Sequence, residues 1–285
     1  MQISQAFQGE SLPISFEIFP PKGDLPVEAA HAMTEELAPL GPAFVSVTYS
    51  AGGSGNSART IDVARMMKED FSLPIMAHLT CMGATKDDID ATLAAMREAG
   101  LENVLALRGD PVPGVATNDF HFAKDLIPVV REAGFCVGAA AYPEGHIDCL
   151  DFEKSIEHLK EKQDAGAQFF VTQLFFDNDC AFEFLEAARN ADITVPITFG
   201  IMPFLSKAQI SRMVFMCGAS LPSPIIKLLA RYEEDPESLR AAGIEYACDQ
   251  MEGLARAGVD GIHVYTMNQP SIARAAVARL RGAAS

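Results

Sequence analysis

The 285-residue chain has no tryptophan and few basic residues, with 22 Lys and Arg against 38 Asp and Glu. The net charge of −16 argues against nucleic acid as a partner, because binding to a phosphate backbone needs clustered basic side chains. It argues equally against binding to an anionic membrane surface. No hydrophobic run reaches the length of a membrane span, and the start Met1-Gln2-Ile3-Ser4-Gln5 lacks the features of a signal peptide. We therefore expect a cytoplasmic protein.

Several chemical motifs are also missing. The six cysteines form no Cys-x-x-Cys pair and stand at no zinc-finger spacing from a histidine, which indicates reduced thiols and no metal. No Gly-x-Gly-x-x-Gly follows a strand, so a nucleotide would not bind on a Rossmann unit. The glycine-rich stretch Ala51 to Asn56 is more typical of a loop than of a phosphate cradle. No lysine lies on a predicted strand, since Lys22 follows the first one, and this argues against a Schiff-base aldolase.

What is present is a regular alternation of β-rich runs and amphipathic helical segments. Helices are predicted to end at four Ala-Gly pairs, such as Ala99-Gly100, and to begin near Asp119 and Asp151. Eight such units without a dividing linker predict one domain over 1–285, an α/β protein with a (β/α)₈ TIM barrel and extra helix around the seventh unit. The predicted strands are Ile14 to Pro20, Phe44 to Ser50, Ile75 to Cys81, Asn103 to Gly109, Cys136 to Tyr142, Phe169 to Phe176, Pro196 to Met202 and Gly261 to Met267.

The first predicted strand contains one acid, Glu17, within an apolar run that ends at Pro20 and Pro21. Because side chains alternate along a strand, Glu17 shares a face with Ser15 and not with its apolar neighbours. Burying a carboxylate is costly unless it is neutral, paired or used. Its position near the carboxyl end of a barrel strand favours a catalytic role, although a solvated or ion-paired glutamate remains an alternative.

Other polar residues stand near the carboxyl ends of the predicted strands, where barrel enzymes bind their ligands. Any one of them could be a structural group, but as a set they indicate a common pocket. The set comprises Thr48, Tyr49, His78, Thr80, Arg108, Asp110, Tyr142, Glu144, His146, Thr172, Gln173, His263, Tyr265 and Asn268.

These strands together resemble the methylenetetrahydrofolate reductase family. The resemblance extends through all eight units in order and covers almost the whole chain. The segments that carry it are Ser15 to Lys22, Phe44 to Tyr49, Ala77 to Cys81, Leu105 to Pro111, Ala141 to His146, Asp164 to Ala167, Thr172 to Asp177, Gly200 to Pro203 and His263 to Asn268.

The resemblance implies an FAD-dependent barrel that passes hydride from NADH or NADPH to 5,10-methylenetetrahydrofolate by ping-pong kinetics, and that can run in either direction. Glu17 and Asp110 would be the catalytic residues. Glu17, held partly neutral in an apolar pocket, would protonate the folate nitrogen, and Asp110 would stabilise the cationic iminium and tune the flavin.

The resemblance also assigns binding residues and a homo-oligomeric assembly. The residues expected to contact FAD are Thr48, Tyr49, His78, Arg108, Gly109, Asp110, Ala123, Tyr142, His146 and Lys162. Those expected to contact the folate are Glu17, Asp110, Gln173, Gln209 and Gln269, and Gln173 would serve the nicotinamide as well.

Three positions depart from the family pattern. Met213 stands where an aromatic ring is expected, Gln269 where some bacterial members have arginine, and Ser155 where relatives have aspartate. Three alternatives stay open from the sequence. The chain could be a flavin-free member of the family, a subunit reduced by a partner protein, or a non-catalytic folate-binding protein.

Overall fold

The computed structural model describes residues 1–20, 27–49, 57–110, 114 and 119–282, and within them eight parallel strands form a closed barrel. Each strand pairs with the next in sequence, and β8 pairs with β1 to close the ring. The predicted TIM barrel is confirmed. The strands are β1 Ile14–Ile18, β2 Val45–Val47, β3 Ile75–Thr80, β4 Asn103–Leu107, β5 Cys136–Ala141, β6 Phe169–Thr172, β7 Ile197–Ile201 and β8 Gly261–Tyr265.

Helices follow the strands and cover the outside of the barrel. Two short 3₁₀ segments, Ile3–Gln8 and Ala38–Leu40, accompany them. The helices are α1 Glu28–Leu37, α2 Ser57–Phe71, α3 Lys86–Glu98, α4 Ala123–Glu132, α5 Phe152–Asp164, α6 Asn178–Asn190, α7 Lys207–Cys217, α8 Ser223–Arg231, α9 Pro236–Arg256 and α10 Pro270–Gly282. The extra helix expected around the seventh unit is confirmed as α7, α8 and α9, all between β7 and β8.

The amino-terminal end of the barrel is filled by apolar side chains. Ile3, from the first 3₁₀ segment, packs with Phe44, Phe169 and other buried residues in one cluster. The Ile3 N–H donates to Asn103 Oδ1 at 2.7 Å, which ties the segment to the start of β4. This plug leaves the carboxyl end of the barrel as the side where a ligand can enter.

Helix ends agree with the sequence signals in all but one case. Gly100, Gly134, Gly166 and Gly258 follow their helices with positive φ, as predicted for glycine caps. Asp151 caps α5 by accepting from the N–H of Lys154. The prediction of a helix start near Asp119 was wrong.

Asp119 instead caps the neighbouring helix. Its carboxylate accepts from the N–H of Lys86, the first residue of α3, at 2.7 Å. At α4 the carboxylate of Asp125 accepts from the N–H groups of His121 and Phe122, and the helix begins at Ala123, four residues after Asp119. A capping residue therefore serves whichever helix end lies near it in space, and sequence order alone does not identify that end.

Candidate functional site

Glu17 projects into the barrel from β1, as its alternation with apolar neighbours predicted. Its side chain is 11% exposed, and Oε2 lies 3.6 Å from His78 Nε2 and 3.7 Å from His263 Nε2. The expected apolar surroundings are thus wrong in one respect, because two imidazoles face the carboxylate. His78, expected to contact a flavin, stands beside Glu17 on β3.

Each of these histidines is paired with a serine from a neighbouring strand. Ser46 Oγ is 2.6 Å from His78 Nε2, and Ser15 Oγ is 2.7 Å from His263 Nδ1. Burial lowers the pKa of His78 to about 4, although the Glu17 carboxylate opposes this shift, so the imidazole is neutral at pH 7. The result is a buried polar layer around a single carboxylate.

His263 contributes one unsatisfied atom to this layer. The ring stacks on Phe44, with centroids 5.7 Å apart and an interplanar angle of 17°. Its Nε2 is buried and has no hydrogen-bond partner among the described residues, and it faces Glu17. Buried polar atoms are rarely left unpaired, and those that are often mark a place for a ligand, water or proton.

The backbone around Glu17 is fixed from β8. Thr266 Oγ1 donates to the Glu17 carbonyl at 2.6 Å. The Asn268 side chain accepts from the N–H of Phe19 at 2.7 Å and donates to its carbonyl at 2.9 Å. Met267 and Asn268 adopt left-handed φ values of 53° and 55°, which is costly for a methionine and common for an asparagine. The turn after β8 therefore clamps the end of β1.

Tyr265 crosses the barrel interior and contacts β6 and β7. Its hydroxyl donates to the Thr172 carbonyl at 2.7 Å, and burial raises its pKa well above the ordinary value. A Cβ at Gly200 would lie 2.4 Å from that carbonyl and 2.6 Å from the tyrosine ring. Only glycine fits there, so Gly200 makes room for a rigid wall beside the polar layer.

A separate cavity opens between the carboxyl ends of β4 and β5 and the helices α4 and α5. It gathers five of the residues expected to bind a cofactor, and Ser155 as well. Its lining includes Arg108, Phe122, Ala123, Lys124, Tyr142, His146, Asp148, Cys149, Ser155, His158, Leu159, Glu161 and Lys162.

The cavity is rich in basic groups. Arg108 donates to Asp148 at 2.9 Å and holds the pKa of that carboxyl below its usual range. Lys162 donates to the Ala140 carbonyl at 2.8 Å and lies 5.2 Å from the centre of the Tyr142 ring. Burial, followed by the repulsion of Arg108, lowers the pKa of Lys162 to about 8. Lys162 forms no ion pair in the described part of the chain, so its charge is available to an anion.

The aromatic and imidazole groups at the mouth of the cavity pack on one another. Tyr142 and His146 meet edge to face, with centroids 4.7 Å apart. Burial raises the pKa of Tyr142 to about 12 and lowers that of His146. Both side chains are therefore neutral at pH 7, and they can offer hydrogen bonds or a flat surface to a ligand.

The remaining expected cofactor residues lie at the ends of β2 and β4. Thr48 is half-buried, its N–H donates to the Ile18 carbonyl at 3.1 Å, and its own carbonyl accepts from Thr60. Tyr49 is half-buried, Gly109 has a φ of 84°, and Asp110 is exposed. Pro21, Lys22, Pro111 and the glycine-rich stretch 51–56, which also entered the sequence predictions, lie outside the described residues.

The three glutamines expected to bind the folate have different surroundings. Gln173 accepts from the N–H of Leu174 through Oε1, which leaves its amide NH₂ for a ligand. Gln209 is engaged at both ends, accepting from the N–H of Leu205 and donating to the Pro203 carbonyl. Gln269 accepts from the Arg240 guanidinium. Met213, on α7, packs against an apolar cluster that contains Phe204.

The sequence assigned no specific role to several residues that lie in the polar layer around Glu17 or line the cavity beside β4 and β5. His263, Tyr265 and Asn268 were noted as strand-end residues, but nothing in the pattern showed that they contact β1 or β6. Lys124, Asp148 and His158 gave no signal at all. No cluster of three or more potential metal ligands occurs in the described residues, and none of their helices is long and apolar enough to span a membrane.

The sequence matches the family model for methylenetetrahydrofolate reductase over residues 2–281. It is 35% identical to methylenetetrahydrofolate reductase 1 of Schizosaccharomyces pombe over 95% of this chain and 46% of that protein. It is 33% identical to 5,10-methylenetetrahydrofolate reductase of Escherichia coli, over 92% of this chain and 88% of that protein. The chain thus spans about half the length of its fungal and plant relatives.

A solved structure supports the fold independently. An uncharacterised protein from Clostridium thermocellum, described as binding two copies of 5-methyl-5,6,7,8-tetrahydrofolic acid, superposes with a TM-score of 0.70 at 17% identity. The superposition covers 98% of this chain and 96% of that one. At this identity the likeness concerns the barrel alone. The sequence matches, which extend over nearly all of the chain, show that it belongs to the methylenetetrahydrofolate reductase family.

Proposed function

We propose that this chain is a flavin-dependent methylenetetrahydrofolate reductase, which carries hydride from NADH or NADPH to 5,10-methylenetetrahydrofolate and gives 5-methyltetrahydrofolate. The observation that carries the proposal is the buried Glu17 carboxylate inside the barrel, facing two imidazoles at 3.6 and 3.7 Å. Family membership and the basic cavity beside β4 and β5 support it.

The cavity suits the diphosphate and adenosine parts of FAD. Arg108 and Lys162 come from β4 and α5, and Lys162 is held in the cavity without a carboxylate partner among the described residues. In a protein with net charge −16, a basic cavity of this kind would select an anion. Tyr142 and His146 add flat surfaces at the mouth. Ser155 adds a hydroxyl to the lining of the cavity.

When bound, FAD would supply hydride acceptance from the nicotinamide and hydride donation to the folate. Glu17 would give a proton to N10 of the folate, so that the five-membered ring opens to an iminium ion that hydride can attack. The backbone clamp from Thr266 and Asn268 fixes where that carboxylate stands. Asp110, exposed at the end of β4, would place a negative charge near the cationic iminium and stabilise it.

The polar layer beneath Glu17 would keep the acid in one orientation. The neutral His78 brings no positive charge to the carboxylate and is itself fixed by Ser46. Gln173 would orient the planar ligand with its free amide NH₂. Because Gln173 would serve both ligands, the nicotinamide and the folate would occupy the same place in turn.

The test is an absorbance spectrum of the purified protein before and after anaerobic addition of NADH. We expect bound flavin, released as FAD on denaturation, which NADH bleaches and 5,10-methylenetetrahydrofolate restores. A colourless protein that takes up no FAD would indicate the flavin-free alternative. Flavin that neither NADH nor NADPH bleaches would indicate a partner protein as reductant. Flavin that is bleached but that folate does not reoxidise would contradict the reductase assignment.

A further inference from the structure

Arg240 is fixed at the rim of the barrel by a residue that follows β8. Arg240 lies in the second turn of α9, it is half-buried, and its guanidinium donates to Gln269 Oε1. The N–H of Gln269 in turn donates to the Thr266 carbonyl at 2.9 Å. Gln269, which holds the guanidinium, is therefore fixed by Thr266, the residue whose hydroxyl donates to the Glu17 carbonyl.

The start of α9 packs closely against the carboxyl end of the barrel. Leu239 is buried in an apolar cluster with Leu174 and Phe204, which follow β6 and β7. Gly243, one turn after Leu239, lies so close to Phe204 that a Cβ would stand 1.8 Å from its carbonyl oxygen. Close packing of this kind holds Arg240 at the carboxyl end of the barrel, on the side of β8.

The charge of Arg240 has no carboxylate partner in the described part of the chain. Arg279 provides a contrast, since it bonds to Glu245 and Asp249 on the outside of the barrel. Of the acids near Arg240 in sequence, Glu233 pairs with Lys207 at 2.8 Å and Asp235 caps the N–H of Ser238. A guanidinium bonded to one neutral amide keeps most of its donors for an anion.

We propose that Arg240, oriented by Gln269, binds the carboxylates of the folate's glutamate tail. This inference rests on the proposed function. N10, the atom that Glu17 would protonate, also carries the aminobenzoyl-glutamate arm. Since Glu17 is on β1 and β8 is the neighbouring strand, an arm that leaves N10 over β8 reaches the rim at Gln269 and Arg240. Arginine suits this task because its planar fork matches a carboxylate.

The cation comes from α9, and the glutamine that follows β8 holds it in place. Gln269 is then a positioning residue, and Arg240 makes the contact.

The experiment is calorimetric titration of the purified protein with 5-methyltetrahydrofolate and with 5-methyltetrahydropteroate, which lacks the glutamate. We expect Arg240→Gln to raise the Kd of the glutamate-bearing ligand about tenfold, as for a lost charged hydrogen bond, and to leave the Kd of the pteroate unchanged. Arg240→Lys should keep part of the preference. Arg231→Gln is the matched control, because Arg231, at the end of α8, is exposed and stacks on the neighbouring Tyr232. Unfolding temperatures verify that each variant is folded.

The outcomes separate this inference from the proposed function. If the wild type binds folate and Arg240→Gln binds both ligands as the wild type does, the inference is overturned and the reductase proposal stands. Equal weakening of both ligands also overturns it. If the wild type binds neither folate compound, the proposed function fails and the inference fails with it.

Discussion

At the scale of single residues, Glu17 carries the sharpest prediction. Glu17→Gln removes a proton donor but keeps size and hydrogen bonding, so we expect the folate half-reaction to slow by about 10²–10⁴-fold. Flavin reduction by NADH should change little, because that step needs no proton from Glu17. Stopped-flow measurement of the two half-reactions tests this.

Glu186, which is exposed on α6 outside the barrel, provides the control substitution Glu186→Gln. It should leave both half-reactions unchanged. Equal slowing of the two half-reactions in Glu17→Gln would assign a structural role to Glu17.

His78 makes stability depend on pH. The pKa of His78 is about 4 in the folded protein and 6.5 in the unfolded chain. As the pH falls, the unfolded chain therefore takes up a proton first. The free energy of unfolding should therefore be unaffected above about pH 6.5 and fall between pH 6.5 and 4. Between pH 7 and 5 the wild type should lose about 2 kcal/mol more than His78→Asn does. Urea unfolding at both pH values measures the difference, and parallel losses would show that His78 is not buried as a neutral group.

The functional residues differ in how far sequence alone could find them. Glu17 could be found, because an acid inside an apolar strand is costly without a use. Its partner His263 could not be assigned, because 248 positions separate it from Ser15 and the contact depends on the register between β8 and β1. Arg108 was found as a polar residue at a strand end, whereas Lys162 came only from the family resemblance. Asp148 lies in a loop and Lys124 on a helix, and no hydrophobic periodicity distinguishes a binding residue at either position.

At the scale of elements, the turn after β8 is expected to stabilise the end of β1. Asn268→Ala loses two hydrogen bonds to Phe19 and should lower the free energy of unfolding by about 1–2 kcal/mol, together with some cost of a left-handed alanine. Asn268→Gly is the matched control, since glycine adopts the same φ freely and loses only the bonds. Urea unfolding of both variants separates the two contributions. If both behave as the wild type does, the clamp contributes nothing to stability.

The elements themselves were largely predictable, but their ends were not. All eight strands were found, yet the sixth was predicted to run to Phe176 and ends at Thr172. The apolar residues Leu174 and Phe176 extend the pattern because they pack under α7 and α8, in a cluster beyond the strand. Hydrophobicity reports burial, and burial continues where the sheet stops.

At the scale of the whole molecule, a single shared place for nicotinamide and folate predicts ping-pong kinetics. Double-reciprocal plots should be parallel, and each ligand should inhibit at high concentration. Gln173→Ala should weaken both ligands by about 1–2 kcal/mol, the value of one hydrogen bond. Intersecting lines, or a variant that affects only one ligand, would contradict the shared place. Steady-state kinetics with both substrates varied provides the measurement.

The pairing of β1 with β8 sets the order in which activity can arise. Glu17 is on β1 and His78 on β3, whereas His263, the backbone clamp and Gln269, which holds Arg240, are made after residue 260. During synthesis the carboxylate therefore lacks His263 and its backbone clamp until β8 has been made. Recovery of folate turnover in a refolding experiment would consequently mark closure of the ring, a later event than the gain of helical structure.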